Sequence, residues 1–364
     1  METSAILADR IEWVAVMADP EHLTLIKQGV KVWNHWRENH AEISPNLSQA
    51  TLNQMSLREV TLSHTNLSGG IFSHADFCMA DLRKADLRCA NLKQALLYTA
   101  DLSGANLREV DLIGADLREA DLSQVDLTRA NLHTAMLLMA NLRAANLREA
   151  MLREANLSHT TLSHADFCMA NLREANLSRA DLREAKLYTA NLSQAILYAA
   201  NLNHADLREA TFSQANLRDA DLREANLSAA ILCLANLVGA TLYKANLSRA
   251  NLSMANLCMA NLSHADLRET ILIGANLIGA NLYTADLSEA VLCESDLREA
   301  TLSNATLSGA NIRKANLGMV NLSRADLRGA NLSYANLRQA NLWEANLEGA
   351  TLKGTVMPDG KIHD

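Results

Sequence analysis

From Leu47 to Leu352 every fifth residue is a large apolar side chain, 62 in succession without an insertion. All are leucine except Phe72, Phe77, Phe167, Phe212 and Ile312. Two residues before each centre stands a small residue, nearly always Ala; the exceptions include Met55, Val60, Thr65, Gly70, Val110, Val125, Thr160, Thr270, Ser295 and Val320. Between the two lies Asn, Asp or Thr in most repeats, so the consensus is A-(D/N)-L-x-x, as in Ala105-Asn106-Leu107-Arg108-Glu109. A period of five fits neither regular element. On an α-helix five residues advance about 140° past a full turn, and the leucines would spiral around every side. On a strand an odd period sends successive leucines to opposite faces. The leucines share one core only if the chain turns a corner every five residues and winds into a coil. Each side then sends one Leu and one Ala inward and three polar positions outward. Asn and Asp suit such corners, because they tolerate unusual dihedrals and bond their own backbone.

The flanks follow other patterns. Residues 1–44 read as a helical cap for the exposed first coil, 45–353 as the repeat solenoid, and 354–364 as a C-terminal cap or tail. Asp19-Pro20-Glu21 is a helix start, with Asp as N-cap and Pro in the first turn. Leu23, Ile26, Val30 and Trp33 then recur at helical spacing as one apolar face. An earlier helix is expected over Ser4–Ala18, with Leu7, Ile11 and Val14 as its stripe. Three of the four tryptophans, Trp13, Trp33 and Trp36, fall in this N-terminal segment. In the tail, Pro358-Asp359-Gly360 signals a turn.

The A-(D/N)-L-x-x array resembles the pentapeptide-repeat proteins over about 85% of the chain. The Lys27–Pro45 lead-in and the tail are similar to sequences flanking the rod in cyanobacterial members, which points to such a source. The resemblance implies an all-β solenoid, a right-handed quadrilateral β-helix with four pentapeptides per coil. This chain would then form about 15 coils behind an N-terminal α-helical cap, a rod roughly 75 Å long at the usual strand spacing.

Composition narrows the function. Aromatics are 4% of the 364 residues, too few for an ordinary globular core of this size. The apolar stretch Ile6–Met17 is broken by Asp9, Arg10 and Glu12, which is not the form of a signal peptide, and a cytoplasmic protein without a membrane anchor is expected. Cys78, Cys89, Cys168, Cys233, Cys258 and Cys293 are dispersed and read as free thiols. No G-x-S-x-G, P-loop or HExxH motif occurs, so no enzyme and no cofactor is expected. The Arg-Glu steps, such as Arg118-Glu119, Arg148-Glu149 and Arg183-Glu184, read as a solvated, self-compensating surface. Among His64, His74, His159, His164, His204 and His264, only His159 and His164 come close enough, as corner neighbours, to consider for a shared metal ion, and no metal site is expected. The repeat region holds 32 acidic and 28 basic residues, not the basic stripe of a nucleic-acid binder.

With four repeats per coil, residues twenty apart stack. Let sides one to four carry Leu62, Leu67, Phe72 and Leu57. The position before each centre then becomes a map. Twelve of its 16 aspartates lie on sides one and two, and an acidic strip on side two comprises Asp86, Asp126, Asp166, Asp206, Asp266, Asp286 and Asp326. Its eight apolar residues all lie on sides three and four: Ile71, Met151, Ile231, Ile271 and Val291, then Leu96, Met136 and Ile196. Neighbouring outward positions add Leu138, Tyr198, Leu234 and Ile273, and Tyr98 stands beside Leu96. These apolar residues form a candidate protein-interaction surface. Against selection for particular sides, Ser73–Ala80 recurs unchanged at Ser163–Ala170, and Leu97–Ala100 recurs at Leu187–Ala190. An offset of ninety residues is four and a half coils, so the copies fall on opposite sides and the array has grown by duplication.

The expected function is a non-catalytic interaction or regulatory rod that binds another protein along its outer faces, as monomer or homodimer. The alternative drawn from the resemblance is a DNA mimic that occupies the duplex site of a type II topoisomerase such as gyrase. The rod's low net charge and the absence of a loop insertion argue against it.

Overall fold

The computed structural model describes residues 17–364. From Asn46 to Val356 the chain is one continuous solenoid. Residue 46 bridges residue 66 in parallel, 51 bridges 71, and this offset of twenty holds without slippage through Asn336–Val356. Four pentapeptides therefore make each coil. The strands are reduced to single bridging residues, because a corner every five residues leaves no room for a longer extended run.

One coil shows how the repeat is held. Leu47 donates its N–H to the Asn66 carbonyl of the next coil (2.7 Å), and Asn66 donates back to the Pro45 carbonyl (2.9 Å). At the corner Ala50 donates to the Leu47 carbonyl (3.1 Å), closing a four-residue turn, while Gln49 donates to Ser68 of the next coil (2.9 Å). The third turn residue has a positive φ, as a type II turn requires. Fifty-two such positions are filled by residues other than glycine, from Gln49 to Glu344. The left-handed residue is thus not the Asn or Asp. Those residues sit in the bridge, and their side chains serve the turn instead: Asn46 Oδ1 accepts from the Ser48 N–H at 3.1 Å, and Asp76 Oδ1 from Cys78 at 2.9 Å. The expectation that Asn and Asp are chosen for unusual dihedrals is corrected, whereas their bond to their own backbone is present. The core is a column of leucines flanked by alanines, from Leu47 to Ala340, nearly all without solvent contact.

At the N-terminal end two helices replace the single helix that the apolar stripe implies. α1 spans Pro20–Lys27, and Asp19 caps it by accepting from Glu21 N–H (2.8 Å) and His22 N–H (3.3 Å). α2 spans Val30–Asn39. Gly29 between them has φ +112°, which an L side chain rarely adopts, and this breaks the stripe into two elements. Ile26 and Trp33 nevertheless join the core, both with no exposed surface. The helix expected over Ser4–Ala18 lies, but for its last two residues, outside the described residues.

The side chains of α2 take the place of a preceding coil on side one. Trp33 Nε1–H donates to the Thr61 carbonyl (2.8 Å), and the Asn34 amide accepts from Thr61 N–H (2.9 Å) and donates to the Glu59 carbonyl (2.9 Å). Arg37, only 7% exposed, donates to the carbonyls of Ile43 (2.7 Å) and Ser63 (3.3 Å). On side two Asp19 N–H donates to Asn46 O at 3.0 Å. At the other end the tail folds back through the Pro358–Gly360 turn, and Ile362 bridges Val356 in antiparallel fashion. His363 closes this hairpin by accepting from Gly354 N–H (2.7 Å) and donating to the Thr355 carbonyl (2.8 Å). Leu342, Leu347 and Leu352 of the last coil stay half-buried.

Candidate interaction surface

Every outward residue is placed by its position in the pentapeptide. The residue before the centre lies flat in the bridge, the one after it starts the turn, and the left-handed residue projects from the corner. The residue that starts the turn has an N–H with no backbone acceptor in this ladder. Wherever Asn or Asp precedes the centre, that N–H is taken by its side chain, as in Ser253 N–H to Asn251 Oδ1 (3.0 Å) and Ser103 N–H to Asp101 Oδ1 (2.9 Å).

The acidic strip on side two is paired with arginines along its length, six arginines serving seven aspartates. Asp86, Asp206, Asp266 and Asp326 each hold the arginine two residues on through paired bonds of 2.6–2.9 Å, to Arg88, Arg208, Arg268 and Arg328. Asp126 pairs with Arg108 of the previous coil (3.5 Å), Asp166 with Arg148 (3.4 Å) and Asp286 with Arg268 (3.8 Å). All seven aspartates therefore have an arginine within 4 Å. The bonds from Arg208, Arg268 and Arg328 hold the carboxyls of Asp206, Asp266 and Asp326 below the usual range, against the opposing effect of burial.

The apolar candidates do not form one strip along the rod. Leu96 and Tyr98 share one coil, but the Tyr98 hydroxyl reaches Glu119 (3.2 Å) and Arg118 lies over its ring (5.8 Å). Met136 with Leu138 and Ile196 with Tyr198 are likewise single coils; the Arg118–Asp116 pair stands in the coil before the first, and the Arg218–Asp219 pair in the coil after the second. Ile231, Leu234, Ile271, Ile273 and Val291 are different. They lie on side three within four successive coils, and no charged residue occurs on sides three and four from Ile231 until Glu294. Ile231, Leu234 and Ile273 are exposed, while Ile271 and Val291 are half-buried.

Methionines that the residue-before-centre map passed over complete this patch. Met254 (60% exposed) stands at the corner between sides three and four beside Leu234 (55%), and Met259 (67%) at the corner between sides four and one. Their signal was in the sequence: each is followed twenty residues later by a glycine, Gly274 and Gly279. A Cβ at either glycine would stand 2.5 Å from the methionine sulfur. Side four adds Val238, Cys258 and Ile278 between the same coils. At about 4.8 Å per coil, the patch runs roughly 15 Å along the axis.

The remaining polar candidates are dispersed. His164 faces Glu184 (3.4 Å) and His204 faces Glu224 (3.7 Å), while His264 stacks edge-on between Tyr243 and Tyr283. The six cysteines are unpaired. Burial, together with Asp166, pushes the Cys168 thiol up to about 11. Among the described residues no helix is long and apolar enough to cross a membrane.

The model of pentapeptide repeats matches nine segments between residues 46 and 357, well over half of the chain. The chain belongs to the pentapeptide-repeat family. Membership brings the right-handed quadrilateral β-helix, in keeping with the twenty-residue bridge register. Among solved structures it is similar to HetL, a pentapeptide-repeat protein involved in heterocyst differentiation regulation from the cyanobacterium Nostoc sp. strain PCC 7120. The identity is 38%, over 61% of this chain and 91% of that one, with a TM-score of 0.28. It is also similar to Rfr23 from the cyanobacterium Cyanothece 51142, at 42% identity over 28% of this chain and 63% of that one, with a TM-score of 0.19. A third is QnrB1, a plasmid-mediated fluoroquinolone resistance protein, at 20% identity over 50% of this chain and 87% of that one, with a TM-score of 0.26. No curated protein matches the chain.

Proposed function

We propose that this protein is a non-catalytic interaction rod of about 15 coils, closed at its N-terminal end by α1 and α2, that binds another protein through sides three and four around residues 231–293. The observation that carries this reading is what Ile231, Ile271 and Val291 replace. Asn or Asp at these positions would bond the N–H two residues on, and a net hydrogen bond of this kind is worth about 0.5–1.5 kcal/mol. Three nearby apolar residues that each give up that bond, on a charge-free surface carrying exposed Leu234 and Met254, suit a contact surface more than a surface kept for the fold.

The test restores the bond. In Ile231→Asn with Ile271→Asn, the melting temperature should hold or rise while a partner captured from cells of the source organism is lost. A melting temperature lower by several degrees, with the partner retained, would mean that the isoleucines serve sheet stacking instead. Apolar docking should also survive a wash at about 0.5 M salt, where an electrostatic duplex mimic would release its target. The arginine pairing of all seven side-two aspartates speaks against mimicry.

A further inference from the structure

Resting on that reading, we propose that the occupant is an apolar groove in a different protein, entered by the corner between sides three and four as a ridge. Leu234 and Met254 form the crest. They are successive left-handed corner residues (φ +59° and +58°), and that geometry throws their side chains outward from the edge of the four-sided tube. Ile231 and Ile273 fall away from the crest on side three, and Ile278 on side four. Next along the crest comes Gly274, over which the Met254 sulfur folds, and then Glu294, which pairs with Lys314 at 3.1 Å. The apolar crest is therefore a short convex knob with a defined end.

Convexity selects the occupant. A flat partner can cover only one flank. A second copy of this rod offers flat sides and convex corners along its solenoid, and the hollow lined by Arg173, Asn191, Gln194 and Gln214 is polar and does not suit an apolar crest. Flank against flank, two copies would join over a strip about 10 Å wide and roughly 15 Å long, on the order of 150 Å². A groove covers the crest and both flanks together. The groove must also be poor in charge, because sides three and four supply no charged partner between Ile231 and Val291, and an unpaired charge sealed there would be costly.

The experiment places the photo-crosslinking amino acid p-benzoylphenylalanine singly at Met254, Ile273 or Ile278, with Ser228 on side two as control, in the full chain expressed in its source organism. All four positions point outward, and an unchanged melting temperature checks each fold. One and the same polypeptide, different from this chain, should crosslink at Met254, Ile273 and Ile278, each at least about tenfold above Ser228. Crosslinking at one flank only would overturn the groove and leave the interaction reading standing. Adducts between copies of this chain, or a dimer of the purified protein by sedimentation at about 100 µM, would also overturn the groove. Crosslinks only at Ser228, or at none of the four positions, would overturn both.

Discussion

A pentapeptide has five backbone N–H groups to place, and each position of this repeat answers for one or two of them. The centre, the residue before it and the left-handed residue bond to neighbouring coils, and the small residue closes the turn. The residue that starts the turn relies on Asn or Asp. Asp then offers a second service: its two oxygens together hold the guanidinium of an arginine two residues on, as in Asp116–Arg118 and Asp181–Arg183. That arginine bond, opposed by burial, holds the carboxyls of Asp116, Asp181, Asp206, Asp266 and Asp326 below their usual range. A carboxyl depressed in the folded state adds stability above its unfolded value, near ~3.9, and loses it as pH falls through the folded one. The melting temperature should therefore drop as pH falls below about 4, through the lowered folded-state values. Replacing these five aspartates by asparagine keeps the turn bond, and should flatten the pH dependence. An unchanged slope would show that the acid loss arises elsewhere.

At the scale of elements, the N-terminal helices work through side chains that imitate a backbone. Trp33, Asn34 and Arg37 supply to Thr61 and Ser63 the donors and acceptors that a preceding coil would have supplied. Trp33→Ala removes a fully buried indole and its bond to Thr61, at a cost of about 3–5 kcal/mol. Each coil touches only its neighbours, so the loss should stay local. Amide exchange should accelerate in residues 47–66 and remain unchanged near Leu202. Acceleration along the whole rod would contradict nearest-neighbour stability. The duplicated segments show the same locality. Tyr188 repeats the environment of Tyr98 half a turn around the rod, with Arg208 over its ring at 5.5 Å and Glu209 at 3.4 Å. Packing around an outward residue is set by its pentapeptide and the next coil, whichever side it occupies.

For the whole molecule, the leucine column is the common support of all four sides. Leu202 has no exposed surface and lies mid-rod. Leu202→Asp would bury an unpaired charge and should cost more than about 4 kcal/mol. A single melting transition should then split in two, as coils on either side of the defect unfold apart; an unaltered melt would contradict a continuous core.

The five-residue period, by itself, determined the coil and the identity of every inward residue, because each pentapeptide meets the same requirement: bury one large and one small side chain, then turn. The stacking offset of twenty was implied instead by the family resemblance, and the bridge register has it. It also placed Ile231, Ile271 and Val291 on one side. The tertiary structure decided what those positions mean. Whether Asp266 is a free negative charge depends on where the Arg268 guanidinium lies, and whether Leu234 and Met254 are crest or flank depends on the left-handed corner that carries them. The break at Gly29 and the Trp33, Asn34 and Arg37 contacts belong to a single end of the rod, where no period repeats. Periodicity encodes what every coil shares, while pairing of charges, corner geometry and caps arise from contacts between residues that the period leaves free to vary.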